Sequence, residues 1–309
     1  MNLSLRLMRY FAAAAHFKSL TKAANQLNIS QSAVSLAVDS LEYELGLKLL
    51  NRQRSKGISL TSKGREILIR IQGILDQIDN FESDVAGIRE NISGDLHVGC
   101  FNAIAPIVLA PILKRFVSEH TAVHANIIEG NVRHIFDSIH RGEVDVGISY
   151  DEADISAGLK TKTLAVVPPH VIMPRNHPLA EQPDVSLSDL IGHPMILLDL
   201  PSSRQYYTSL FEASGFHPDF AYKSGNYEMV RSMVGIGLGL ALLQSRPPTE
   251  DTHSGSKIIC KPLRENLRKS RLVVAYLEQS IKRRTVNAFI EHCESYFTTA
   301  ESRDLIVSR

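Results

Sequence analysis

Ser19 to Glu44 reads SLTKAANQLNISQSAVSLAVDSLEYE, two short helical patterns about a tight turn. In Thr21 to Leu27 the small residues Ala23 and Ala24 let a second helix approach closely, and Leu27 anchors the turn formed by Asn28 and Ile29. Ser30 suits an N-cap, because its hydroxyl accepts a hydrogen bond from the free N–H groups of the next helix. Ala33, Val34, Ala37, Val38 and Leu41 then recur at spacings of three and four, while Gln31, Ser32, Ser35 and Ser40 fall largely off that apolar face. A helix that buries one side and shows short hydrogen-bonding side chains at its start fits the DNA major groove.

Working outward, Leu3 to Phe17 has the spacing of a supporting helix whose stripe is Leu7, Tyr10, Phe11 and Ala14. After the quoted stretch, Gly46 ends a helix, Leu47, Leu49 and Leu50 dock on the core, and a basic tip surrounds Gly57. This predicts a two-stranded wing with Arg52, Arg54 and Lys56 placed to meet phosphates or enter the minor groove. Thr61 caps a further helix in which Ile67, Leu68, Ile71, Ile74, Leu75, Ile78 and Phe81 continue the apolar spacing to about Ile88. Such a helix is roughly 40 Å long, too long to hide in one small domain. Its stripe is expected to pair with the same helix of a second copy, and a two-fold dimer matches DNA whose half-sites are two-fold related.

The net charge of +1 divides unevenly. Residues 1–65 hold ten Lys or Arg against three acids, or +7, which leaves −6 for the remainder. A phosphate-seeking surface therefore sits at one end. With 309 residues, 44% of them hydrophobic, the chain is long enough for two or three cores, and no apolar run is long enough to span a membrane. The N-terminus lacks the pattern of a secretory signal, and Cys100, Cys260 and Cys293 are odd in number without a CxxC, so a reduced, cytoplasmic protein is expected.

Beyond Asn91, Ser93 and Gly94 the period changes. Short strands at Asp95–Cys100, Val123–Glu129 and Val144–Ser149 alternate with helical patterns at Ala105–Glu119 and Val132–Arg141, and a second set follows from Val171 to Leu243. Alternation of this kind predicts a parallel sheet covered by helices. Chain crossings near Val167 and Lys269 suggest a bilobal, hinged α/β unit with a ligand cleft between the lobes. The expected organisation is a winged helix-turn-helix over 1–60, a linker and dimerisation helix over 61–90, and a regulatory domain over 91–309. Its first lobe takes about 91–167 and 269–309, its second about 168–268.

These stretches carry a family resemblance. LRLMRYFAAAA, SLTKAANQLNISQSAVSLAVDSLEYELGLKLLNR and GISLTSKGREIL resemble the DNA-binding domain of the LysR-type transcriptional regulators. GDLHVGC, LAPILKRF, GEVDVGISY, LLDLPSSRQYY and YEMVRSMVGIGLGLALL resemble, in the same order, that family's effector-binding domain. The resemblance implies a regulatory domain similar to type II periplasmic binding proteins, control by a small metabolite, and assembly as homodimers and commonly tetramers. The chain departs from the family pattern where Ser32 stands in place of a frequent Pro, and Leu36, Ala37 and Asp39 in place of Arg or Gln. Its recognition helix is poor in positive charge. Gln31, Ser32 and Ser35 are then the base readers, Leu36 a contact for a thymine methyl, and Lys22, Arg52, Arg54 and Lys63 the phosphate contacts, with Thr21 and Ser30 beside them.

Effector residues follow from where loops meet helix starts at the carboxyl ends of strands. Those positions are Asn102, Ala103 and Ile104, then Gly130 and Asn131, Tyr150, Ser202 to Arg204 with Ser203 between them, and Asn226. Free N–H groups at several helix starts favour an anion, so a carboxylate-bearing metabolite is expected, with Arg204 either its partner or a plain surface residue. Enzyme readings are weak: HExxH, GxSxG and GxxxxGK[ST] are absent, GIGLG at Gly235–Gly239 falls at a turn, and no metal or cofactor set is expected. His120 and His124 fall at a strand, not on one helix face. Cys100 reads as a small buried hydrophobe, with a redox or covalent sensor as the alternative. A ligand-responsive DNA-binding regulator is favoured over a solute-binding or catalytic α/β protein carrying an incidental N-terminal module. If Gln31 reads a base edge, Gln31→Ala loses about 1–3 kcal/mol of discrimination in competitive gel shifts. Equal weakening on specific and random duplexes contradicts the assignment.

Overall fold

Each of the first three helices starts at a serine, because the first backbone N–H groups of a helix have no partner within it. The computed structural model describes residues 3–53, 57–85, 92–152, 156–278 and 280–307. Ser4 caps α1 (Leu5–Phe17), Ser19 caps α2 (Leu20–Gln26) and Ser30 caps α3 (Gln31–Leu45). α1 buries Phe11 and Ala14 as its spacing predicts, but Met8 and Ala15 complete the stripe while Leu7 and Tyr10 are half-buried. Ala23 and Ala24 are buried between the helices, Asn28 takes a left-handed turn at φ 54°, and Gly46 ends α3 at φ 63°, a conformation that favours glycine.

One carboxylate joins the recognition helix to the wing. Glu42, on the buried side of α3, accepts hydrogen bonds from the Leu49 N–H at 2.7 Å and the Leu50 N–H at 3.0 Å, and pairs with Lys48 Nζ at 2.7 Å. Burial alone would raise its pKa, but the Lys48 hydrogen bond and the two amides outweigh burial and hold the carboxyl below its usual range. The chain thus leaves α3 in a fixed direction into β1 (Leu50–Gln53), which pairs antiparallel with β2 (Gly57–Leu60) to make the wing. Arg54 and Lys56, expected at a basic tip, lie outside the described residues. Thr61 Oγ1 accepts from Gly64 N at 2.8 Å and starts α4 (Ser62–Val85). Leu68 and Ile71 of α4 are buried against the reader, whereas Ile74 and Phe81 are 39% and 66% exposed.

The regulatory part continues with β3 (Ser93–Phe101), a short π-helical turn (Ala105–Leu109), α5 (Ala110–Glu119), β4 (Ala122–Gly130), α6 (Val132–His140), β5 (Val146–Tyr150) and β6 (Lys160–Val167). After the crossing come β7 (His170–Pro174), β8 (Met195–Leu198), α7 (Pro201–Ala213), β9 (Phe220–Ser224), α8 (Tyr227–Gly235), β10 (Ala241–Leu243) and β11 (Ile258–Pro262), then β12 (Ser270–Tyr276) and α9 (Arg284–Tyr296). Lobe one is built on the sheet β4-β3-β5-β12-β6, and lobe two on β10-β7-β11 with the pair β8-β9. The sheets are not the purely parallel ones that alternation predicts. β3 is parallel to β4 and β5, but β12 runs antiparallel to β5 and β6, and β7 antiparallel to β10 and β11. The strands that cross between lobes account for the difference: β12 returns from lobe two and enters the first sheet from the opposite end.

The reader rests on lobe one. Lys18 Nζ lies 3.0 Å from Glu143 Oε1, Gln72 Nε2 donates to Gly142 O at 3.3 Å, and the His16 and His97 rings are 4.5 Å apart. Behind them Asp145 accepts from the His97 N–H at 2.8 Å and pairs with Arg283 Nη1 at 2.5 Å. Burial opposes its charge, but Arg283 and His97 prevail and bring the carboxyl to about 2. The Glu42 joint has a measurable consequence: Glu42→Ala strands two buried N–H groups and destabilises the N-terminal unit by roughly 3 kcal/mol in urea unfolding at pH 7. Because the Glu42 pKa is lowered on folding, its contribution is complete above the usual carboxylate value and is lost as pH falls through the folded one. The variant therefore loses less stability than the wild type on acidification from pH 5 to pH 3. An equal loss contradicts the role.

Candidate nucleic-acid interface and ligand cleft

At the start of α3 the Ser30 hydroxyl accepts from Ala33 N at 3.1 Å and meets Ser32 Oγ at 2.9 Å, so Ser30 serves the helix itself. Gln31 and Ser32 are exposed, Ser35 is half-buried, and Leu36 is 67% exposed. Thr21 Oγ1 donates to Gln31 Oε1 at 3.3 Å, which ties the first residue of α3 to α2. Lys22 is exposed beside them, and Lys63 at the start of α4 pairs with Glu66 at 2.9 Å. The expectation that Arg52 simply reaches for phosphate changes. Its Nη1 donates to Ser35 Oγ at 3.1 Å and its Nη2 to Asp39 Oδ1 at 2.7 Å, so the guanidinium lies against the recognition helix. Tyr43 on the same helix is 86% exposed, although an aromatic residue is ordinarily assigned to a core.

The expected effector residues separate into two cavities. Asn131, Tyr150, Ser202 and Ser203 line a cleft of about 600 Å3 together with Phe101, Tyr206, Gln244 and Arg268. Asn102, Ala103 and Asn226 line a different cavity of about 1400 Å3, with Tyr227, Glu228 and Arg231. Ile104, Gly130 and Arg204 line neither. Ile104 is buried, Gly130 gives its carbonyl to the Asn102 N–H, and Arg204 Nε donates to the Asp199 carboxylate. Of the two readings of Arg204, the surface one fits its position.

The two cavities differ in charge. The smaller cleft gathers Arg133, Arg268, Lys269 and Arg271 against Asp151 and Glu152. Arg271 is engaged by Asp151, while the Arg268 guanidinium lies 5.1 Å over the Tyr206 ring. Burial raises the Tyr206 hydroxyl to about 12, so it stays protonated and donates to the Arg268 carbonyl at 2.6 Å. Asn131 caps α6 by accepting from His134 N at 2.8 Å. In contrast α7 begins at Pro201 after Leu200 with no side-chain cap, and Ser202 and Ser203 of its first turn line the cleft. The larger cavity is rimmed by Glu129, Glu228, Asp251, Glu301 and Asp304, and its Arg231 is spent on Glu228 and on the Thr249 and Asp251 carbonyls.

Between the cavities runs a buried link. Tyr150 OH and Ser245 Oγ are 2.8 Å apart, the Ser245 N–H points at the same hydroxyl, and Tyr227 OH donates to Ser245 O at 2.7 Å. Tyr150 ends a lobe-one strand, while Ser245 and Tyr227 both belong to lobe two, so the Tyr150–Ser245 contacts join the lobes.

With this geometry in place, comparison with known proteins is direct. Residues 5–65 match the bacterial regulatory helix-turn-helix of the lysR family, and residues 89–298 match the LysR substrate binding domain. The chain belongs to the LysR family of transcriptional regulators. It is similar to the uncharacterized HTH-type transcriptional regulator YvbU of Bacillus subtilis, 31% identical over 76% of this chain and 80% of that one. Among solved structures it is similar to a putative LysR family regulator of Pseudomonas aeruginosa, with 31% identity, a TM-score of 0.64 and coverage of 96% of this chain and 100% of that one. HinK, a LysR family regulator from the same organism, gives 32% identity and a TM-score of 0.63 over 96% of this chain and 99% of its own. The chain is thus a DNA-binding transcriptional regulator with an effector-binding domain, and this is not a family of enzymes.

GIGLG accords with that: Gly237 holds φ 86° in the turn after α8. His120 follows α5 and His124 lies in β4, so the pair shares no helix face. No helix among the described residues is long and apolar enough to cross a membrane. Cys100 and Cys293 are fully buried, and burial pushes both thiols up, Cys100 well above its ordinary value. In the native chain neither is expected to react with iodoacetamide at pH 8 over an hour, while both react in urea. Rapid native labelling of Cys100 restores the sensor reading.

Proposed function

We propose that this regulator binds a small carboxylate in the 600 Å3 cleft, and that the uncapped start of α7 is what carries the selection. Helix N–H groups and the positive end of the helix dipole favour an anion, and Arg268 adds a guanidinium suited to a carboxylate. Volume alone favours the 1400 Å3 cavity, but its acidic rim repels an anion. Charge decides the choice, because desolvating an anion against like charges offsets whatever contact the larger space offers. Asn102, Ala103 and Asn226 are therefore removed from the effector set, and Asn131, Tyr150, Ser202 and Ser203 stay in it. The protein works in the cytoplasm on double-stranded promoter DNA with two-fold related half-sites, as a homodimer joined through α4 and as a tetramer made of two such dimers. The exposed Ile74 and Phe81 of α4 support that pairing. Ligand draws the lobes together about Ser245 and changes how the paired readers meet DNA.

A panel of mono- and dicarboxylates, each set beside its neutral amide, tests the ligand class by thermal shift on the full chain. At a hundred times its Kd a true ligand contributes about 2.7 kcal/mol, enough to raise Tm by several degrees. Arg268→Ala is expected to lose that shift while keeping the unliganded Tm. Shifts produced equally by the amides, or kept in full by Arg268→Ala, contradict the proposal.

A further inference from the structure

We infer that Asp39 is a specificity-determining residue that acts by positioning Arg52, holding its guanidinium against the recognition helix so that it addresses a base edge instead of ranging among phosphates. This rests on the assignment of α3 and the wing as the DNA reader. Asp39 stands four residues after Ser35 on α3, one turn along the same face. Arg52 reaches it from β1 of the wing, with Nη2 at 2.7 Å from Oδ1, Nη1 at 3.5 Å from Oδ2, and Nη1 also bonded to Ser35 Oγ at 3.1 Å. Both ends of the guanidinium fork are thereby fixed to one helix, while Nε–H and the second Nη2 hydrogen take part in none of these contacts and remain for the DNA.

Stability does not account for this pair. The Arg52 and Asp39 side chains are 39% and 48% exposed, and an ion pair so solvated adds little to folding. Its effect is on charge and direction. A carboxylate on the groove-facing side of a recognition helix repels the phosphate backbone unless its charge is matched, so Asp39 is tolerated there only with Arg52 beside it. The match works both ways: an Arg neutralised by Asp39 contributes little to non-specific attraction, and a guanidinium with fixed orientation discriminates among base edges better than one free to swing. Guanine, which offers acceptors at O6 and N7 in the major groove, is the base that this donor fits.

The test is in vitro selection from a randomised palindromic duplex library with the full chain, read beside the salt dependence of binding to random duplex. Asp39→Ala is expected to flatten the preference at a G·C pair in each half-site and to tighten binding to random duplex. It should also steepen the salt slope by about 0.9 per protomer, as the released Arg52 takes a phosphate. Arg52→Ala is expected to flatten the same position with no steepening, and the double variant to resemble Arg52→Ala. Asp39→Asn keeps the side chain's size and is read in the same way should the alanine variant fail to fold. An Asp39→Ala motif and salt slope equal to the wild type overturn the inference, as does a double variant whose losses are the sum of the single ones. A wild-type protein that enriches no motif overturns the reader assignment beneath it.

Discussion

The first N–H groups of an α-helix have no partner inside the helix, and the working surfaces of this chain are arranged around how each helix start meets that need. Ser19, Ser30 and Asn131 satisfy it from within, by side chains that accept from the amide three residues on. α7 does not: Pro201 removes one donor, Leu200 supplies no side-chain acceptor, and the next two residues line a cleft that holds Arg133, Arg268 and Arg271. The capped start of α3 presents its side chains outward, whereas the uncapped start of α7 borders the cleft in which an anion is proposed to bind.

Direction is the second requirement, and it is met by buried carboxylates. Glu42 fixes the angle between α3 and the wing, and Asp145 fixes β3 to α9 just behind the surface on which the reader rests. Losing one partner of such a group is costly because the charge that remains is desolvated. Between the lobes the Tyr150 hydroxyl meets both the hydroxyl and the N–H of Ser245, and Tyr227 OH holds the Ser245 carbonyl from within lobe two. The contacts of Lys18 with Glu143 and of Gln72 with Gly142 are solvated or single, and so are suited to being made and broken.

Much of this was legible in the residues. Ser30, Gly46 and Thr61 mark their helix ends by local chemistry, and the apolar spacing from Val34 to Leu41 is set by one helix face. What the sequence hid depends on distant chain reversals. Glu42 is only one charge among others in the sequence, since its acceptor role exists only once the chain has turned back to present the Leu49 and Leu50 amides. Asp39 and Arg52 are thirteen residues apart and become partners only through the wing. Loop ends after strands lead to two different cavities, because Asn102 and Asn131 look alike in sequence yet open onto cavities of opposite charge. Arg204 has no sequence neighbour that marks it as a surface residue, because its partner Asp199 lies across the turn into α7.

Cooperation between the two halves is the central claim, that an anion held in the smaller cleft alters how paired readers contact DNA. Hydroxyl-radical footprinting of the full chain on its selected duplex, with and without a carboxylate that raises its Tm, tests this most directly. The expected result is a shift in the spacing or extent of the protected half-sites at saturating ligand. Superimposable footprints, with ligand binding confirmed in the same samples, would contradict it.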